Sequence, residues 1–188
     1  MMKLNTLGIA HQFLAARVPE GGLCIDGTMG RGKDTVFLCQ LVGPEGKVIA
    51  FDIQEEALAS TDALLREKGL RERAELRLES HAEMDQCAAP GTVDAVVFNF
   101  GYLPGGDHKI FTHPDTSIQA IGKALCLLKE GGCVAACIYH GGDTGYEERD
   151  ALLRYLSGID PKRYTVIVAD FRNRPGDPPI AAFILKAV

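Results

Sequence analysis

The run Asp26-Gly27-Thr28-Met29-Gly30-Arg31-Gly32-Lys33-Asp34-Thr35 decides how this chain is read. It follows a short apolar β-type run, 23–26, and opens a nearly all-apolar helical run, 35–42, so strand, glycine-bearing turn and helix start succeed one another directly. Working outward, strand patterns recur at 47–53, 74–79, 93–100, 133–139, 164–171 and 180–187. Helical patterns fall at 55–68, 117–128 and 147–156, with a weaker one at 81–87, and Gly131 and Gly132 are expected to stop the one at 117–128. Alternation of this kind builds βαβ units on a parallel sheet. Arg172 to Pro179 are too few residues for a crossover helix, so the last two strands should pair antiparallel. The expected fold is α/β, with a seven-stranded mostly parallel sheet, helices on both faces and a C-terminal antiparallel strand.

The chain has 188 residues, 46% hydrophobic and 24% charged, which suits one domain over 1–188 with a helical N-terminal segment at 1–19. Twenty Lys and Arg against 25 Asp and Glu leave a formal charge of −5, which argues against a broad basic coat for nucleic acid and leaves room for a local basic patch. The six cysteines, at 24, 39, 87, 126, 133 and 137, form no C-x-x-C pair and sit mostly in apolar runs, where reduced thiols pack as small hydrophobes. No segment approaches the roughly 20 apolar residues that a spanning helix needs. A soluble, cytoplasmic protein is expected, with no membrane partner. A metal site is not expected, because His108 and His113 share one loop and Cys133 and Cys137 share one strand. No G-x-S-x-G elbow follows a strand, which argues against a serine hydrolase.

In open α/β sheets ligands bind beyond the carboxyl ends of the strands. After the first strand, Gly30 and Gly32 allow close backbone approach, and the helix start offers free N–H groups to an anion. The spacing is G-x-x-G-x-G rather than G-x-G-x-x-G, so the pyrophosphate cradle is missing. Asp26 would repel phosphate but pair with an ammonium group; its alternative is a cap of a plain turn. Asp52 ends the second strand where ribose hydroxyls would lie, with an N-cap role as the alternative. Ser80 and His81 follow the third strand, where an adenine edge would sit; a surface histidine is the alternative for His81.

Asp26, the glycine turn and Asp52 resemble the class I S-adenosylmethionine-dependent methyltransferases, whose Rossmann-like sheet matches the strand pattern over nearly the whole chain. The resemblance implies S-adenosylmethionine as cofactor, with its methionine amine and carboxylate near Asp26, Thr28, Gly30, Gly32 and Asp34. It puts the ribose on Asp52 and adenine near Ile53, Gln54, Ser80 and His81. The fourth strand ends in Asn99-Phe100-Gly101-Tyr102, similar to the N/D-P-P-Y/F motif of amino-group methyltransferases, although Phe100 and Gly101 stand where that motif has prolines. Transfer to nitrogen needs a neutral amine aimed along the S–CH₃ bond. The Asn99 side-chain oxygen can accept the amine's hydrogens, and Tyr102 can stack on a base. Together with Tyr139-His140-Gly141-Gly142, these strings resemble the bacterial rRNA-methylase group. That implies N-methylation of 5-aminomethyl-2-thiouridine at the tRNA wobble position.

Asn99, Tyr102 and His140 are therefore the candidate catalytic residues. His140 is either a proton acceptor or RNA contact, or a loop histidine bonded to backbone. Arg154, Lys162, Arg163, Arg172 and Arg174, interleaved with Tyr155, Tyr164 and Phe171, are a candidate contact for a tRNA anticodon stem-loop, with a solvated face as the alternative. An rRNA or small-molecule methyltransferase and a non-catalytic nucleoside-binding protein remain open at this point, as does a homodimer.

Overall fold

The computed structural model describes residues 4–101, 112–140 and 145–188. Helix α1 (Thr6–Ala15) precedes strand β1 (Leu23–Asp26), helix α2 (Lys33–Val42), strand β2 (Lys47–Asp52), helix α3 (Glu55–Glu67) and strand β3 (Ala74–Leu78). Strand β4 (Val93–Phe100), helix α4 (Pro114–Leu127), strand β5 (Leu128–Ile138), helix α5 (Gly145–Ser157), strand β6 (Tyr164–Ala169) and strand β7 (Ile180–Lys186) complete the order. The described residues form a seven-stranded sheet ordered β3-β2-β1-β4-β5-β7-β6, parallel except where β7 runs antiparallel to both β5 and β6. The chain reverses direction across the sheet between β1 and β4, the place where such folds bind ligands.

Strand alternation sorts the core into two layers. Ile25, Phe51, Phe98, Phe100, Val134 and Ile138 face α4 and α5 through Ile121, Leu152 and Leu156. Cys24, Val48, Ala95, Val97, Cys133 and Cys137 face α1, α2 and α3 through Leu14, Leu38 and Leu65. The four buried cysteines thus belong to one apolar layer, as their surroundings in the sequence implied, and all six thiols are free. Burial pushes the Cys39, Cys133 and Cys137 thiols up to about 12, which makes them inert packing groups.

Two sequence expectations need correction. Helix α4 ends at Leu127 and β5 starts at Leu128, so Gly131 and Gly132 do not terminate the helix. Leu128 pairs with Val93 and Cys133 with Ala95, so residues 129–132 bulge out of the ladder. Gly131, at φ 74, takes the left-handed turn inside that bulge. The weak helical pattern near His81 is a 3-10 segment, His81–Gln86, capped by Ser80 Oγ accepting from Ala82 N at 3.2 Å.

The turn after β1 owes its tightness to Gly27. Its N–H donates to the Val97 carbonyl at 2.9 Å, and an added Cβ would lie 2.3 Å from Cε1 of Phe98. The Phe98 ring is itself stacked on Phe100 with centroids 4.9 Å apart, leaving it little room to yield. Gly27→Ala should therefore cost about 1–3 kcal/mol by overpacking, read as a lowered urea midpoint at unchanged slope; a wild-type midpoint would contradict this packing.

Candidate active site

Because Asp26, Asp52 and Asn99 fall on alternating positions with Cys24, Ala50 and Val97, all three project to the face that carries α1, α2 and α3. Asp26 lies fully buried beneath the turn rather than at its mouth. One of its oxygens accepts from Thr28 N at 3.1 Å and the other from Thr35 Oγ at 2.6 Å. Burial, and then the nearby charge of Asp34, pushes its carboxyl up to about 7. Thr28 Oγ accepts from Asn99 N at 2.7 Å, tying the turn to the end of β4.

Asp34, in the first turn of α2, is 7% exposed and bridges two elements. One oxygen lies 2.6 Å from His11 Nε2, and the other accepts from Asn99 Nδ2 at 2.6 Å. A carboxylate can only accept, so the amide nitrogen of Asn99 is the group turned to Asp34. The amide oxygen is left without a hydrogen-bond partner among the described residues.

Asp52 organises the adjoining half. Its oxygens accept from Gly30 N and Gln54 N, both at 3.0 Å, and two of a carboxylate's roughly four lone-pair sites stay free for hydroxyl donors. Burial raises its carboxyl, with the backbone N–H bonds working in the opposite direction. Ile53 beside it is 59% exposed and Leu78, at the end of β3, 46% exposed. An acidic group flanked by exposed apolar side chains matches a ribose and the flat face of a base. Gln54 occupies the N-cap position of α3 but makes no side-chain capping bond.

Other candidates land elsewhere. At Gly32, whose φ is 81, an added Cβ would lie 2.9 Å from Oγ of Thr61 on α3, so the glycine makes room for that helix rather than for a ligand. It also leaves the start of α2 without a side-chain cap. His81 is turned inward: Nδ1 donates to the Gly27 carbonyl at 3.2 Å, and the ring meets Phe98 and Phe100 edge-on, both at 6.1 Å. Burial lowers its pKa and keeps the ring neutral, and Nε2 is a buried acceptor with no partner among the described residues. His140 lies just past β5, with Nδ1 near its own Ile138 carbonyl and the ring 5.8 Å from Tyr146. Tyr102, Gly141 and Gly142 fall outside the described residues.

The late basic residues do not form one cluster. β6 runs parallel to β5, so Lys162 and Arg163 precede it at the end of the sheet opposite the turn, with Arg154 near them. Arg172 and Arg174 follow β6 on the side of the turn, where Arg174 stacks on Phe171 at 4.0 Å. Among the described residues no group of three or more His, Cys, Asp or Glu is placed to hold a metal ion, and no helix is long and apolar enough to cross a membrane.

Several participants carry no local sequence signal. Thr35, Thr61 and His11 act on partners from other elements. Glu148, which the sequence places in the acidic first turn of α5, is 3% exposed, and its oxygens accept from Thr112 Oγ and Ser117 Oγ, both at 2.7 Å. Thr112 Oγ in turn accepts from Gly101 N at 2.8 Å, so Glu148 holds together the two described ends of the segment that follows Asn99.

Residues 48–185 match the family model described as "Putative rRNA methylase". The chain belongs to this family. A curated relative, the chloroplastic tRNA (mnm(5)s(2)U34)-methyltransferase of Arabidopsis thaliana, is 33% identical over 187 residues, covering 95% of this chain and 68% of that protein. A structure from Clostridium thermocellum, described in the same words as the family, is 44% identical with a TM-score of 0.96, covering 99% of this chain and all of that one. A Streptococcus mutans protein solved in complex with SAH is 34% identical with a TM-score of 0.88, covering 99% of each chain. Like other rRNA-methylase family members, the chain is an S-adenosylmethionine-dependent methyltransferase.

The residues of this family member fit that cofactor. The uncapped start of α2 suits the methionine carboxylate, the Asp34 carboxyl suits a cation, and Asp52 beside exposed Ile53 suits a nucleoside.

Because the folded-state pKa of Asp26 is raised from 3.8 to about 7, the native state holds that proton more tightly than the unfolded chain. The stabilisation is present in full below the unfolded value and is lost as pH climbs through the folded one. Asn at this position keeps an acceptor for Thr28 N and never ionises. The melting temperature of ligand-free Asp26→Asn relative to wild type should therefore rise between about pH 5 and about pH 8; a constant difference across that range would refute the assignment.

Proposed function

We propose that this enzyme N-methylates the aminomethyl group of 5-aminomethyl-2-thiouridine at the wobble position of tRNA, with residues 1–188 working as one methyltransferase domain in the cytoplasm. The observation that carries the proposal is the orientation of Asn99: Asp34 takes the amide nitrogen and leaves the oxygen free beside the turn. An acceptor of that kind, on a rigid strand end, aims a primary amine by one of its hydrogens and leaves the lone pair to react. The Arabidopsis relative, named for an mnm(5)s(2)U34 activity, supports the same acceptor.

When bound, S-adenosylmethionine supplies an electrophilic methyl group on a positively charged sulfur. In this reading, Asp26, Thr28, Gly30 and Asp34 hold its methionine end, with Gly32 leaving the start of α2 uncapped for it, Asp52 holds the ribose, and Ile53, Gln54, Ser80 and His81 hold the base. Asp26 and His81 contribute by shaping the turn from beneath, since both are inside it. Asn99 directs the amine, Tyr102 stacks on the uridine, and His140 takes up the proton that the amine sheds. Arg172 and Arg174, on the side of the turn, contact phosphates of the anticodon stem-loop.

Expected results separate binding from chemistry. Asp52→Ala should weaken SAH binding about 10- to 100-fold by calorimetry, the worth of a charged hydrogen-bond acceptor. Asn99→Ala should leave that affinity within about twofold and lower kcat about 100-fold on tRNA from cells that lack the protein. Nucleoside mass spectrometry of that tRNA should show the unmethylated aminomethyl precursor. Unchanged modification, or activity on free amines but not on tRNA, would overturn the assignment in favour of a different acceptor.

A further inference from the structure

The chemistry proposed for the site leaves one well-formed contact unused. His11 is carried by α1, which supplies none of the candidate site residues read from the sequence, yet its Nε2 reaches Asp34 at 2.6 Å. Its ring is stacked on Phe37 of α2, with centroids 3.8 Å apart and planes within 6°. The helix that presents it is anchored at its start: Asn5 Oδ1 accepts from Gly8 N at 2.8 Å, and Thr6 Oγ donates to the Pro179 carbonyl at 2.5 Å, just before β7. Ala10 and Leu14 bury the face of α1 in the layer over β5 and β7. The imidazole is thus held in plane by a ring and in position by a helix.

We propose that His11 is a positioning residue for methyl transfer: by occupying one oxygen of Asp34, it holds the other against the Asn99 amide and keeps the Asn99 oxygen facing the acceptor amine. This inference rests on the reading of Asn99 given above. The physical argument concerns rotation. A carboxylate with a single partner swings about its terminal bond, and the amide bonded to it swings too. With His11 on one oxygen and Asn99 on the other, both torsions are set. The contact joins α1, α2 and β4 in one chain of hydrogen bonds, so the N-terminal helix is part of the active site without touching substrate.

His11→Phe keeps a flat ring for Phe37 and removes only the donor. His11→Gln restores a side-chain N–H of similar reach. Expected in His11→Phe is a kcat about tenfold lower, with SAH affinity and KM for tRNA within about twofold and the fold retained at a melting temperature a few degrees lower, because one buried oxygen of Asp34 loses its partner. His11→Gln should recover most of the loss. In an Asn99→Ala background, His11→Phe should cost nothing further, because the group it positions is gone. In the ligand-free protein, the Asn99 side-chain amide signals should lose exchange protection and shift in His11→Phe, a readout independent of turnover.

An active wild type with an equally active His11→Phe overturns the inference alone, as does a loss that adds fully to that of Asn99→Ala. A wild type that leaves tRNA unmethylated, or an Asn99→Ala enzyme with full kcat, overturns the reading of Asn99 and this inference with it.

Discussion

A carboxyl group sealed beneath the first turn is the constraint on which the site depends. Asp26 ends β1 with both oxygens satisfied, one by the turn's own backbone and one by the first-turn hydroxyl of Thr35. Those bonds close strand, turn and helix into a single rigid unit. A buried polar group left unpaired is costly, so neither bond is readily surrendered. From this unit, Thr28 reaches β4 and Gly30 reaches Asp52, so the positions of three strand ends are referred to one point. The cost of this arrangement is electrostatic. Two acids share the space under the turn, and the outcome is a carboxyl that titrates near neutrality. A cationic ligand is the natural complement of such a site.

Much of the architecture was legible in the sequence, because the strands of a sheet covered on both faces are short apolar runs and the helices between them have their own period. That Asp26, Asp52 and Asn99 stand at the strand ends was legible for the same reason: each is a polar side chain at the end of an apolar run, and strand ends lie along one rim of a parallel sheet. The bulge at Gly131 was not, since paired glycines after a helical pattern look like a helix stop, and only the pairing of Leu128 with Val93 shows that the strand has already begun. His81 illustrates a different limit. Its place in the chain points to the rim, but the ring is drawn inward by the Gly27 carbonyl and two aromatic neighbours, a matter of rotamer and packing.

The residues that sequence did not reveal share one property: their partners come from distant segments. His11 and Asp34 are 23 positions apart, and Ser117 and Glu148 are 31. Glu148 stands in the first turn of α5, where an acid suits the helix dipole, and its hydroxyl partners on α4 and beside it cannot be inferred from composition. The basic residues show the converse. Arg163 and Arg172 are close in the chain but stand before and after β6, so a charge group that looks continuous as text is divided by the length of a strand.

The placement of β7 between β5 and β6 also bears on how the molecule is made. β6 leaves the ribosome before the only strand it pairs with among the described residues, and β5 meanwhile shows a bare hydrogen-bonding edge next to its pairing with β4. Until residues 180–186 emerge, the edges of β5 and β6 that β7 will occupy stay open and could recruit other strands. Insertion of β7 closes both at once, and it does so just after Pro179, the residue whose carbonyl holds Thr6, so the closing strand also docks the N-terminal helix.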